Sequence, residues 1–137
     1  MTSRTTIPRG NPGLAESGYN TYANVAWIKQ GYHWFNLLEI AWSDVKGEEG
    51  VYVIWHPVHL PRAVYVGQGD LEDRFSKHRN DPEILEYAED KLLYVTWAHV
   101  LQIHREGVER YLADTYRPLV GKEWPKVPGT FVNLPEI

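Results

Sequence analysis

The sequence predicts an α+β domain of three strands flanked by helices, and three observations predict it. Two runs rich in β-branched and aromatic residues, Gly50–Trp55 and Arg62–Val66, stand on either side of the breaker-containing segment Pro57–Pro61 and read as a hairpin. A glycine-flanked turn, Gly67-Gln68-Gly69, then leads into an amphipathic helix. A third apolar run, Leu92–Ala98, precedes a longer amphipathic helix closed by Pro118.

Taken in order, the chain begins with a stretch, residues 4–20, where Pro8, Gly10, Asn11, Pro12, Gly13 and Gly18 crowd together, so residues 1–20 read as an irregular lead-in. Trp34, Leu37, Leu38, Ala41 and Trp42 then fall at helical spacing, which predicts a short N-terminal helical extension ending near Ser43 and packing on the main body. After the hairpin, Asp70 is placed to cap a helix running to about Asn80. Leu71, Arg74, Phe75 and His78 occupy positions i, i+3, i+4 and i+7 of that helix, so one face combines apolar anchors with two basic side chains. Pro82 suits the first turn of a short helix to about Glu89. The last helix is expected from Arg105 to Tyr116, with Val108, Tyr111, Leu112, Thr115 and Tyr116 as its buried stripe. Glu109 lies beside that stripe, one turn from Leu112 and Ala113, where a carboxylate can point past the core edge into a cleft.

A chain of 137 residues is long enough to bury one hydrophobic core without a disulfide or structural metal. The absence of cysteine excludes a thiol nucleophile and a cysteine-ligated zinc, and it suits a reducing compartment. No apolar run approaches the roughly 20 residues that span a bilayer, and Met1–Thr6 lacks the apolar stretch of a secretory signal. A soluble cytoplasmic protein with no membrane partner is therefore expected. The formal charge of −4 argues against a polyanionic partner, yet residues 81–90 carry five acids and no lysine or arginine. Outside that run 13 acids face 14 bases, so the acidity is local and one face can still accept a phosphate. Binding should be weak and salt-sensitive unless a second copy or a partner protein adds grip.

Two short signatures, Gly50-Val51-Tyr52 and Tyr65-Val66-Gly67, stand 13 positions apart, one opening the first strand and the other closing the second. Arg74 and His78 follow one turn apart on a helix, and Glu109 sits on a later helix that ends at Arg117-Pro118. This ordered set resembles the GIY-YIG nuclease family over about residues 48–120. The resemblance implies a small three-stranded antiparallel sheet flanked by helices across residues 48–137, with residues 21–47 as the extension packing on it. It implies a metal-dependent endonuclease acting on DNA in preference to RNA. By the resemblance Tyr52 and Tyr65 are the motif tyrosines, Gly67 the motif glycine, Arg74 the phosphate-binding arginine, Glu109 the ligand of Mg²⁺ or Mn²⁺, and His78 the histidine found in part of the family. Asn133 takes the part of an asparagine common near the end of such domains. Gln68 stands where many members carry a lysine, and joins Gly67, Arg74 and Asn133 as a substrate-binding candidate. Arg74 comes seven rather than the more usual eight positions after Gly67, a spacing that two glycines in the turn can accommodate.

The chemistry fits those residue types. One carboxylate suits Mg²⁺, which keeps several waters and takes phosphate oxygens as further ligands. Arginine offers a permanently charged planar fork that matches a phosphate. A tyrosine acting as base at neutral pH must overcome about 4 kcal/mol, three units below a pKa of about 10, so Tyr52 needs help from Arg74, the metal or protonated His78, or else relays its proton to neutral His78. Each residue alone has a plainer explanation: strand tyrosines pack, Glu109 can pair with Arg105 at i−4, and Arg74 with His78 can be a polar helix face. His56 and His59 near the hairpin lack the remaining ligands of a metal site. Trp27, Trp34, Trp42, Trp55 and Trp97 fall where packing is expected, whereas Trp124 and Pro125–Pro128 are the exposed exceptions. Against the nuclease stand a catalytically inactive nucleic-acid-binding module on the same fold and a protein adaptor docking through the Trp-rich residues 22–42. No separate recognition domain is expected, so sequence specificity would come from a homodimer or a partner protein.

Overall fold

A computed structural model describes residues 20–22, 24–58, 60–121 and 123–137. Apart from Asn20, the lead-in expected at residues 1–20 lies outside the described residues, as does His59. The elements run β1 (Asn20–Thr21), β2 (Phe35–Asn36), a 3₁₀ turn (Trp42–Asp44), β3 (Glu49–His56), β4 (Arg62–Asp70), α1 (Leu71–Arg79), α2 (Pro82–Leu85), β5 (Tyr94–Ala98), α3 (Gln102–Tyr116) and β6 (Thr130–Phe131). The fold is α+β, as expected. Its main sheet is antiparallel but has four strands rather than three, in the order β2-β5-β3-β4, while β1 and β6 form a separate parallel pair. Among the described residues no helix is long and apolar enough to cross a membrane.

The fourth strand comes from the segment expected to be helical. Phe35 and Asn36 pair with Val95 and Tyr94 instead. Asn36 ends helical propagation there: its Oδ1 accepts from Leu38 N at 3.1 Å and Leu93 N at 3.2 Å, and its Nδ2 donates to Lys91 O at 3.1 Å. The carbonyls a helix would use are also taken, since Arg79 Nη2 donates to Leu37 O at 2.6 Å and to Ile40 O at 2.9 Å. Of the apolar residues at helical spacing, Leu37 is in the core, Trp34, Leu38 and Trp42 are half-buried and Ala41 is exposed, while Ile40, outside that stripe, is buried. The tryptophans of this region are half-buried: Trp34 meets Trp55 edge-on and Trp42 lies under the Arg79 guanidinium, whereas Tyr32 in the same segment is exposed.

The other elements follow the pattern with shifted ends. Asp70 caps α1 by accepting from Asp73 N at 3.0 Å, and Leu71, Phe75 and His78 are buried while Arg74 is half-buried. α2 is shorter than expected, one turn capped by Asp81, and α3 begins three residues earlier than expected, at Gln102. Thr115, expected in the buried stripe of α3, is exposed and donates back to Tyr111 O at 2.8 Å; Gly107 and Ala113 are buried in its stead. Two apolar clusters pack on the two faces of the sheet. Tyr52, Ile54, Leu71, Phe75 and Ile84 lie on the α1 and α2 side, and Val51, Val53, Trp55, Val66, Val108 and Leu112 lie under α3.

One irregularity in the hairpin decides which face the second motif tyrosine takes. Trp55 pairs with Ala63 but Ile54 pairs with Tyr65, so Val64 is an extra residue in β4. Without it, Tyr65 would lie opposite Val53 and face α3. With it, Tyr65 joins the face of Ile54 and Tyr52, next to α1.

Candidate active site

β3 presents Tyr52, β4 presents Tyr65 and Gly67, and α1 presents Arg74 and His78 to the same sheet face. Gly67 lies directly across from Tyr52 in the antiparallel register. A Cβ there would collide with the Tyr52 phenol and stand 3.0 Å from the Tyr65 ring, so glycine is what lets the Tyr52 ring lie over β4. The two tyrosine rings stack at 6.3 Å between centroids, and Phe75 meets Tyr52 edge-on at 5.2 Å.

The polar ends converge. Arg74 Nε donates to Tyr52 Oη at 3.2 Å while Arg74 Nη2 donates to Tyr65 Oη at 3.3 Å. The Tyr52 hydroxyl and His78 Nε2 are 2.6 Å apart. Burial, with the nearby Arg74 charge, holds the His78 imidazole down at about 4, so it is neutral at pH 7; with Arg74 Nε already donating to Tyr52 Oη, the tautomer with its hydrogen on Nδ1 lets the phenol donate to Nε2. Burial raises the Tyr52 phenol well above its ordinary range despite the opposing Arg74 charge. Tyr52 is fully buried, whereas Tyr65 and Arg74 keep partial exposure. A protonated His78 helping to ionise Tyr52 does not fit this environment, which holds the imidazole neutral and the phenol protonated.

Glu109 approaches from α3, on the other side of the sheet. Because β4 is the last strand of the sheet, side chains from the two helical layers can meet past its edge. The Glu109 charge acts on both Arg74 and Tyr52. Its carboxyl is half-buried, and burial pushes it up to about 7, with Arg74 pulling it down and Glu106, one turn away, pushing it up. Among the described residues it has no hydrogen-bond donor and no ion pair; Arg105, the expected i−4 partner, pairs with Glu49 at 2.9 Å instead. A partly desolvated carboxylate without donors gains most from a cation beside it. The described residues contain no group of three or more His, Asp or Glu that could hold a metal ion, so a divalent ion here would rest on Glu109 with water and phosphate oxygens, a donor set that Mg²⁺ accepts.

Two substrate-binding candidates are placed differently. Gln68, partly exposed and paired with Val51, falls by strand alternation on the α3 side of β4. Asn133 does not join the cluster: its Oδ1 accepts from Val25 N at 2.7 Å and its Nδ2 donates to Val25 O at 2.9 Å, which ties the N-terminal segment to the C-terminal tail. His56 Nδ1 stands 3.4 Å from Glu89 Oε1 without a hydrogen bond.

The sequence reading missed Gly121. Leu119 N and Val120 N donate to Ala63 O and Val64 O, so this segment runs along the outer edge of β4 and brings Gly121 against the Tyr65 ring. Nothing local signals such a contact, because it arises from pairing across more than fifty residues.

No family model matches the chain, and neither a curated protein nor a solved structure does.

Proposed function

We propose that this chain is a metal-dependent endonuclease hydrolysing phosphodiester bonds in nucleic acid, DNA in preference to RNA, with Tyr52, Tyr65, Arg74, His78 and Glu109 as its catalytic group. The observation that carries the proposal is the one guanidinium bridging two tyrosine hydroxyls, one of which is bonded to a neutral histidine, within the field of a carboxylate that has no donor among the described residues. It is also what the resemblance to the GIY-YIG family implies for these positions.

Arg74 would turn its fork to the scissile phosphate and offset charge that builds there in the transition state. A phosphate beside Arg74 also cancels part of the positive field that depresses His78, so substrate binding makes His78 a better base. The attacking water would give its proton to Tyr52 Oη as Tyr52 passes its own to His78 Nε2; the water oxygen bonds to phosphorus while the bond to the leaving sugar oxygen breaks, and that oxygen takes its proton from solvent. Tyr65 holds the second arm of Arg74 and so fixes the plane of the fork. Glu109 would hold Mg²⁺ or Mn²⁺, which supplies Lewis-acid stabilisation of the phosphoryl oxygens.

The test is cleavage of labelled single- and double-stranded DNA, and of the matching RNA, in Mg²⁺ or Mn²⁺. Arg74→Lys should slow cutting about 10²- to 10³-fold, since lysine cannot reproduce the fork, and Glu109→Gln should abolish the metal response. Equal cutting by wild type and both variants would sink the proposal. One observation favours a second reading, a binding module without turnover: Tyr52 has no exposed surface, so its hydroxyl meets a water only if Arg74 swings aside. Binding of nucleic acid with no cutting in either metal would select it.

A further inference from the structure

Beside the site lies an open groove of about 820 Å³, within the size range of ligand pockets. It touches the site twice. Ala113, on its wall, stands one turn beyond Glu109 on the same face of α3. Gly121, also on its wall, separates the Tyr65 ring from the Trp124 ring: a Cβ at Gly121 would stand 3.5 Å from the first and 3.0 Å from the second. The groove is built rather than loose. Arg110 Nε donates to Asp114 Oδ2 at 3.1 Å and its Nη1 donates to Pro125 O at 3.4 Å, which anchors the loop that carries Trp124.

Two further cations line it, Arg117 and Lys126, both exposed and without a side-chain ion pair among the described residues. Asp114 is engaged by Arg110, so the groove offers two unpaired positive charges against Glu123 in a chain whose formal charge is −4. Unpaired cations next to a half-buried indole suit a strand with phosphates on one side and an unstacked base on the other. A duplex keeps its bases stacked on each other and cannot use the indole in this way.

We propose that this groove holds the single-stranded flank of the nucleic-acid substrate, with one base stacked on Trp124 and phosphates on Arg117 and Lys126. The inference rests on the proposed nucleic-acid substrate and names its strand state next to the cut. Single-stranded DNA and single-stranded RNA share the chemistry.

The experiment is fluorescence anisotropy of the full chain with labelled oligothymidine and oligouridine of about 12 nucleotides, a length within single-strand site sizes, in EDTA so that nothing is cut. A duplex of the same length is the control. Trp124→Ala should weaken single-strand binding roughly fivefold or more, with little effect on the duplex, and Trp124→Phe should restore most of it. Arg117→Ala and Lys126→Ala should each lower the salt slope for single strands by about 0.7, a change that Trp124→Ala should not make. Oligodeoxyuridine, which differs from oligouridine only in the sugar, identifies the backbone. Wild type that binds no single strand overturns the inference. So does unchanged binding in both Trp124→Ala and the Arg117→Ala, Lys126→Ala double variant, whose exposed sites do not threaten folding. Groove-dependent binding by a protein that cuts nothing would keep this inference and reject the hydrolase. Cutting and binding indifferent to Trp124 and the two cations would do the reverse.

Discussion

The two helical layers treat their polar groups differently. On the α1 side, the Tyr52 hydroxyl, His78 Nε2 and two nitrogens of Arg74 are all paired within the chain, inside an apolar cluster. On the α3 side, Glu109 has no donor, and Arg117 and Lys126 have no ion pair, among the described residues. A satisfied buried network fixes geometry, because every displaced partner exposes a donor or acceptor that costs about 1–3 kcal/mol to leave unmade. Groups left without partners at a surface are the ones that gain from something outside the chain. On the proposed function, the α1 side would position the reacting group and the α3 side would receive metal and strand.

The largest effect should come from breaking the closed side. Gly67→Ala places a methyl group in the Tyr52 phenol, and overpacking at a fully buried ring should cost about 3 kcal/mol or more. Urea denaturation measures it; a loss below 1 kcal/mol would mean that the Tyr52 ring can leave its position over β4.

Next comes the pH dependence of the same network. His78 has its folded pKa lowered to about 4 from an ordinary value of 6.5, so its contribution to stability is full above pH 6.5 and drains away as pH falls towards 4. For a nearly fully buried ring this amounts to about 3 kcal/mol. His78→Gln keeps an acceptor for Tyr52 but cannot titrate, so its stability should be flatter than wild type between pH 6.5 and 4. Parallel acid profiles for the two proteins would show that His78 is already charged in the native state.

The smallest effect should be on the open side, and with the opposite sign. Glu109 has its folded pKa raised to about 7 from 4.5, so stability is fullest below pH 4.5 and is lost as pH rises through 7. Glu109→Gln should therefore melt higher than wild type at pH 8, by about 1 kcal/mol once its partial exposure is discounted, and the gap should close near pH 4.5. Adding Mn²⁺ should narrow the gap at pH 8 by stabilising wild type alone. A variant less stable than wild type at pH 8 would mean that Glu109 is satisfied within the fold.

Much of this was legible along the chain. The i, i+3, i+4, i+7 spacing put Leu71, Phe75 and His78 on the buried side of α1 with Arg74 at its edge, and Asp70 capped that helix as its side chain implied. Of the candidates, Tyr52, Tyr65, Arg74 and His78 are joined by hydrogen bonds, while Glu109 reaches Tyr52 and Arg74 through its charge. Other features could not be read. The spacing of Leu37 and Leu38 with Trp34 and Trp42 signalled a helix because burial periodicity does not record that Arg79, some forty residues away, takes the carbonyls a helix would need. Asn133 matched an expected residue type, yet its amide is spent on Val25, a partner 108 positions distant.

By itself, the sequence determined which side chains are candidates for chemistry and the order in which most strands and helices follow, since turn residues, caps and apolar periodicity act over a few positions. Only the tertiary structure decided that Val64 would be an extra residue in β4, turning Tyr65 towards Tyr52, and that the surroundings would keep His78 neutral and the Tyr52 phenol protonated. Strand register and desolvation depend on what lies across the sheet and above it, and those neighbours come from distant parts of the chain.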